Sequence, residues 1–162
     1  MPSMKYLVFV LLFCSALAQA PSATLTVTGD LPMPLTLTLA NLAAMPRQSA
    51  HIPNPDGSMA TYEGVSLYDV LKRAGVPFGG ELRGKALSNY VLAKASDGYQ
   101  VIFTPGEIDP SFGNQTILVA DHRDGNPLSG NQGSFRLVVA NDKEGARSVR
   151  MLEALEFVRL RK

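Results

Sequence analysis

The side chains best suited to chemistry in this 162-residue sequence are three arginines in its C-terminal part. Arg136 lies inside the apolar run FRLVV, where a guanidinium buried without a partner would be strongly destabilising. It is therefore expected either to face a groove and bind an anion or to form a salt bridge with Asp121 or Asp124. Arg147 and Arg150 follow in the segment GARSVR. Paired N–H donors suit all three to an oxyanion such as phosphate or sulfate, although a solvated turn is the favoured interpretation for Arg147 and Arg150.

A second polar group centres on His122, in the segment from Asp121 to Asp124. It contains enough imidazole and carboxylate atoms for a metal site or an acid/base pair. Adjacent residues of a strand point to opposite faces, so a solvated turn is the favoured interpretation. With two histidines in the chain, a three-histidine zinc site is excluded. The sequence contains no nucleophile-elbow, P-loop or dinucleotide-binding motif, which argues against those classes of protein.

The N-terminal residues 1–20 have the layout of a secretory signal peptide, with a single Lys5, an apolar run and the small-residue ending AQA. Lipidation of Cys14 is the alternative, and it is disfavoured because the bulky Phe13 precedes the cysteine. No other apolar run reaches the roughly 18 residues that a membrane span needs. We therefore expect a periplasmic or secreted protein with no transmembrane segment after signal removal. Cys14 is the only cysteine, so its removal leaves no thiolate for a metal.

The remaining residues, 21–162, are balanced in charge. Without Lys5 the 15 basic residues become 14, against 14 acidic residues. Binding of nucleic acid needs a basic face that neutralises several phosphates, so we expect no nucleic-acid partner. The length suits a single domain with its own hydrophobic core.

Strands separated by short turns must position the polar side chains. Short helices are predicted at residues 40–45 and after Ser66, where Asp69 completes a capping-box pattern and Gly75 provides a left-handed C-terminal residue. Residues 78–85 are glycine-rich and charged, which predicts an exposed connection. The pattern as a whole predicts an α+β fold, a mixed β-sheet with a few short helices. Strand-like runs occur at 23–28, 35–39, 47–52, 60–62, 90–95, 99–104, 117–120, 135–140, 149–151 and 155–160.

Four short motifs lie between residues 95 and 151. They are DGY before a strand, GNPL, GSFRLVV and GARSV. Together they resemble the C-terminal half of the molybdopterin-binding domain of the sulfite oxidase family. The resemblance implies that Tyr99 lies near the oxo group of the metal and Arg147 near the substrate oxyanion. It places Arg150 close to the pterin, where the family usually has a lysine. For Tyr99, an ordinary strand aromatic after a turn is the favoured alternative.

The sequence departs from the family pattern at several positions. Residues 21–162 lack the cysteine that the family uses as its metal ligand, and Gln132 stands where a histidine is common. Ser134 and Ala140 replace prolines, and Met151 replaces a tryptophan. Function depends on the site rather than on the fold, so the resemblance predicts the fold more safely than the reaction.

Three functional hypotheses follow. The favoured one is an exported, non-catalytic domain that binds a small anion or a protein partner through a cleft near Tyr99, Arg136 and Arg147, without a cofactor or a metal ligand of its own. The second is an active molybdopterin-dependent oxidoreductase whose metal is held through the pterin dithiolene alone. The third is an interaction module of an envelope or sensory complex that binds no small ligand. His122 and Arg150 complete the set of candidate ligand-binding residues.

Overall fold

Alternating apolar and hydroxyl side chains form the first strand pair, which belongs to the first of two packed five-stranded sheets. The computed structural model describes residues 22–113 and 115–161. In the first sheet the strand order is β2-β1-β10-β5-β6, and β1 pairs with β10 in parallel while the other pairs are antiparallel. Its strands are β1 (Thr24–Gly29), β2 (Leu35–Thr38), β5 (Tyr90–Ala95), β6 (Gln100–Phe103) and β10 (Leu152–Val158).

The second sheet is antiparallel and is built around its long central strand, β7. The order is β3-β4-β7, and β8 and β9 both pair with β7. A register shift between β4 and β7 inserts Asp121 as an extra residue between the pairs Gly64–Ala120 and Glu63–His122. The strands are β3 (Arg47–Pro53), β4 (Met59–Ser66), β7 (Ile117–Arg123), β8 (Asn126–Pro127) and β9 (Arg136–Val139).

Three short helices connect the strands: α1 (Leu39–Ala43), α2 (Leu67–Arg73) and α3 (Pro105–Ile108). At α2, the Ser66 hydroxyl accepts a hydrogen bond from the Tyr68 amide at 3.1 Å, while Asp69 adds no reciprocal bond, so the capping box predicted there is only half formed. Gly75 ends this helix with φ of +86°, as predicted. A full capping box between Thr104 and Glu107 begins α3, a helix that the sequence interpretation did not predict.

Most apolar side chains pack into one core that joins the two sheets and α2, with Leu25, Leu71, Phe103, Phe135 and Phe157 among its fully buried members. A smaller cluster lies within the second sheet and its loops and includes Ala50, Tyr62, Leu118, Leu128 and Val138. This smaller cluster is the apolar support for the polar residues described below.

The fold is α+β, with mixed sheets and a few short helices, as predicted. One local prediction is wrong. Residues 149–151 are not a strand, because Met151 has φ of +49° and β10 begins only at Leu152. Residues 78–85 form the mostly exposed connection that was predicted, in tight 3-10 turns that bury Leu82. None of the helices formed by residues 22–113 and 115–161 has the length and apolar character needed to cross a membrane. The predicted signal peptide lies outside these residues.

Candidate functional site

Arg136 is the first residue of β9 and is half-buried beside the smaller apolar cluster. Its Nη1 donates hydrogen bonds to the Tyr62 hydroxyl at 2.7 Å and to Oε1 of Gln132. Its buried Nε has no partner in the described residues. Both hydrogen-bond acceptors are neutral, so the guanidinium is positioned by them without being neutralised.

The salt bridge expected between Arg136 and Asp121 or Asp124 is not formed in the described part of the chain. Asp121 instead accepts two hydrogen bonds from Arg47, at 2.8 and 2.6 Å. Asp124 accepts a hydrogen bond from the Thr61 amide at 2.8 Å. Strand alternation explains this, because Arg136 pairs with Ala120, and the next residue of β7, Asp121, points to the opposite face of the sheet.

Tyr62 lies between two guanidinium groups. Its ring is 3% exposed, and its centroid lies 4.8 Å from Cζ of Arg136 and 5.6 Å from Cζ of Arg123. Both distances suit a cation–π contact. Arg123 Nη2 also donates to Asn54 at 2.8 Å, whereas its Nε, although 3.3 Å from an Asp124 carboxylate oxygen, forms no hydrogen bond.

Electrostatics around Arg136 are unfavourable for its charged form. Burial lowers the pKa of Arg136 from its ordinary value, and the like charges of Arg150 and Arg123 lower that pKa further, while Tyr62 opposes the shift. Arg123, Arg136 and Arg150 therefore form an arginine cluster in which the most buried member lacks a carboxylate. A bound anion would offset this repulsion and could accept a hydrogen bond from the free Nε.

A close backbone contact brings Arg136 and Arg150 together. Gly133 has φ of +74°, and a Cβ on it would lie 2.5 Å from the Cα of Met151. The Met151 amide donates to the Gln132 carbonyl at 2.8 Å, and the Leu152 amide donates to the Phe135 carbonyl at 2.9 Å. These contacts hold the segment that leads into Arg136 against the segment that carries Arg150.

Arg150 and Tyr99 line a small cavity of about 240 Å³, together with Asp97, Gly145, Ala146 and Ser148. Arg150 is exposed and forms neither an ion pair nor a hydrogen bond with another described residue. The Tyr99 hydroxyl donates to the Ala146 carbonyl at 2.7 Å. Asp97 acts as a turn residue, because its carboxylate accepts a hydrogen bond from the Tyr99 amide at 2.9 Å. Arg150 is thus the cation of this cavity that can take a ligand.

Arg147 is held by two carboxylates. Its Nε and Nη2 donate to Asp142, each at 2.7 Å, and its Nη1 donates to Glu107 at 2.5 Å. The hydrogen bonds that Arg147 donates to Asp142 raise the pKa of Arg147 above its ordinary value, and the same bonds hold the pKa of Asp142 below its own. The solvated turn that was the alternative for Arg147 is not what the structure contains. The guanidinium instead joins the Asp142 loop to α3.

His122 lies within strand β7, so the solvated turn favoured from the sequence is wrong. Its Nδ1 lies 2.8 Å from Oδ1 of Asp121, although the two residues are adjacent, because the register shift changes the alternation there. Asp121 is 3% exposed; burial opposes its ionisation, but hydrogen bonds from Arg47 and His122 outweigh burial and lower the pKa of Asp121. The described residues contain no group of three or more potential metal ligands, so this pair is not joined by a third.

The sequence interpretation missed Tyr62 and Arg123 as parts of the site. Tyr62 belongs to β4, far from Arg136 along the chain, and only the pairing of both strands with β7 brings the two together. Arg123 was assigned to a turn together with His122. The sequence did contain one indication of the position of Tyr62. Ala60, Tyr62 and Gly64 alternate with the polar Thr61 and Glu63, which predicts that the tyrosine lies on the less polar face of its strand.

Comparison with known proteins identifies the domain. Residues 16–162 match the family model described as the oxidoreductase molybdopterin binding domain. The chain belongs to this family. Among solved structures, this molybdopterin-binding domain is similar to the sulfane dehydrogenase SoxCD from Paracoccus pantotrophus, with a TM-score of 0.63 and 20% sequence identity. The similarity covers 85% of this chain and 38% of the SoxCD chain, so the domain spans well under half of that protein's length. No curated protein matches the sequence.

The family name implies the cofactor molybdopterin. The described residues suit an anionic substituent of that cofactor, but they do not supply a ligand for its metal. The arginine cluster, with its free Nε on Arg136, suits an anionic substituent such as a phosphate. The described residues include no cysteine and no cluster of metal-ligating side chains, so they supply no thiolate for the metal. The site therefore fits an oxyanion and does not fit a metal that needs a protein ligand.

Proposed function

We propose that this molybdopterin-binding-type domain is an exported, non-catalytic protein that binds a small oxyanion through its arginine cluster. Arg136 and Arg150 supply the donors, and Arg123 adds positive charge. The observation that carries the proposal is the half-buried guanidinium of Arg136, which has neutral acceptors on one nitrogen and none on its Nε. A buried charge without a counter-ion is costly, and an anion would supply the missing charge.

The geometry gives each residue a part in binding. Tyr62 and Gln132 fix the orientation of the Arg136 guanidinium, so its free N–H is held in place before an anion arrives. Arg150 has no competing carboxylate and lies at the exposed side, where a ligand would enter. Arg147, whose donors are engaged by Asp142 and Glu107, supports the neighbouring loop.

Titration calorimetry with sulfate and phosphate tests this proposal. Arg150→Gln should weaken anion binding about tenfold, since it removes one charge-assisted contact from an exposed position without touching the core. Arg73→Gln is the matched control, because Arg73 is an exposed arginine at the end of α2 and should leave the affinity unchanged. Equal affinities for wild type, Arg150→Gln and Arg73→Gln would overturn the assignment of the site.

The alternative of an active oxidoreductase has a separate test. Protein purified from its native exported compartment should contain no stoichiometric molybdenum if the domain is non-catalytic. Stoichiometric metal together with turnover of sulfite or a related compound would contradict the non-catalytic part of the proposal, and it would leave the anion site itself in place.

A further inference from the structure

A second polar groove lies at the end of the first sheet. It is bounded by residues that follow α2, precede β5 and follow β10, and its volume is about 530 Å³. The size falls within the range of pockets that bind small molecules, roughly 300 to 1,000 Å³. The groove is lined by Pro77, Lys85, Ala86, Asn89, Arg159, Leu160 and Arg161. None of these residues belongs to the arginine cluster.

The decisive residue of the groove is Asn89. It is 7% exposed, and its side chain has no hydrogen-bond partner among residues 22–113 and 115–161. The Asn89 amide atoms are not among the buried polar atoms that lack a partner, so they keep contact with solvent, and Asn89 lines the groove, where a ligand can replace that water. The strands fix its position, because Asn89 immediately precedes the pair Tyr90–Val158 and so lies opposite Arg159.

The cations of the groove differ in how far they are neutralised. Asp30 accepts a hydrogen bond from Nη2 of Arg161 at 2.9 Å and another from the backbone amide of Arg159 at 3.0 Å. This second bond holds the Arg159 backbone and is the main cause of the lowered pKa of Asp30; the Arg159 guanidinium adds to that shift but forms no hydrogen bond or ion pair with Asp30. Neither the Arg159 side chain nor the Lys85 ammonium pairs with a carboxylate in the described part of the chain. The groove therefore has two positive charges outside any described ion pair, beside an amide that forms no hydrogen bond with a described residue.

We propose that this groove binds a small phosphomonoester that carries a hydroxyl group. A phosphomonoester has close to two negative charges and three acceptor oxygens, which suits Lys85, Arg159 and the Asn89 amide N–H groups. The Asn89 carbonyl then accepts from the ligand hydroxyl, since this amide can both donate and accept. Pro77, Ala86 and Leu160 supply apolar contact for the carbon atoms of the ligand.

Glycerol 3-phosphate is the probe, with uncharged glycerol as its control, and binding is followed by the side-chain amide NMR signals of Asn89 and by calorimetry. We expect saturable shifts of the Asn89 signals with glycerol 3-phosphate and none with glycerol. Arg159→Gln and Lys85→Gln should each weaken binding about tenfold, and Lys143→Gln, which changes an exposed lysine outside the groove, should leave it unchanged.

The two anion sites are separable. Arg150→Gln should weaken sulfate binding and leave the response of Asn89 to glycerol 3-phosphate unaltered. Arg159→Gln should weaken the response of Asn89 to glycerol 3-phosphate and leave sulfate binding to the arginine cluster unaltered. If glycerol 3-phosphate leaves the Asn89 signals in place, or if Arg159→Gln and Lys85→Gln both bind it like wild type, the groove assignment is wrong whatever happens at Arg136. Loss of sulfate binding with an intact Asn89 response would contradict only the proposed function.

Discussion

Gly133 and Met151 are in direct backbone contact, because a Cβ on Gly133 would lie 2.5 Å from the Cα of Met151. Both residues have positive φ angles, of +74° and +49°. This contact joins the loop before β9 to the turn before β10. It thereby fixes the relative positions of Arg136 and Arg150, on which the proposed anion site depends.

Gly133→Ala should lower the free energy of unfolding by about 3 kcal/mol, because alanine is strained in the left-handed region and its Cβ would collide with backbone that cannot rotate away. Urea denaturation measures this. The control is Gly130→Ala in the same loop, where φ is +59° but nothing lies within 4 Å of the added Cβ. It should cost only about 1 kcal/mol. Equal losses of unfolding free energy for the two variants would show that the contact with Met151 does not contribute to stability.

Tyr62→Phe should destabilise the protein by about 1 kcal/mol, because it removes a hydroxyl that accepts a hydrogen bond from Arg136 while keeping the ring between the two guanidinium groups. A double-mutant cycle with Arg136→Met isolates this interaction and should give a coupling energy of about 1 kcal/mol. A coupling energy near zero would mean that the hydroxyl does not position the guanidinium.

Arg147→Gln should leave sulfate affinity within about twofold of wild type, because the Arg147 donors already bind Asp142 and Glu107. Since the Arg147 side chain is more than one third exposed, the loss of its ion pairs should lower stability by only about 0.5 to 1 kcal/mol, and less in high salt. The measurements are calorimetry and denaturation at two salt concentrations. A tenfold loss of affinity would return Arg147 to the ligand-binding set.

The ion pair between Arg47 and the buried Asp121 should make stability depend on pH. The pKa of Asp121 is lower in the folded protein than its ordinary value of 3.8. The ionised Asp121 carboxylate therefore contributes fully to the free energy of unfolding when the pH is above its ordinary pKa. This contribution is lost as the pH falls through the lower pKa of the folded protein. Asp121→Asn should cost about 2 kcal/mol near neutral pH, and the difference from wild type should shrink below about pH 4. A difference that stays constant down to about pH 2 would contradict this assignment.

The fold was largely predictable because it depends on local patterns. Alternation marked β1 and β2, and the proline and glycine turn marked the hairpin of β3 and β4. Gly75 marked the end of α2. The motifs DGY and GARSV carried the family resemblance, which the match over residues 16–162 confirms.

The candidate site was less predictable because it depends on register. Arg136 pairs with Ala120, so Asp121 lies on the opposite face and bonds to Arg47, while the extra residue in β7 brings Arg123 opposite Tyr62. Nothing in the residues around Arg136 reveals that its partner is Tyr62, 74 positions away. The same limit applies to Arg147, whose second carboxylate, Glu107, is 40 positions away.

The most direct test of the anion site is the Nε–H signal of Arg136 in a ¹H–¹⁵N NMR titration with sulfate, assigned by its disappearance in Arg136→Lys. The structure leaves this N–H without a partner in the described residues, so a bound anion should accept its hydrogen bond. We predict a saturable shift of this signal, weakened by Arg150→Gln and unaffected by Arg73→Gln. A signal that stays in place while sulfate shifts other arginines would contradict the account.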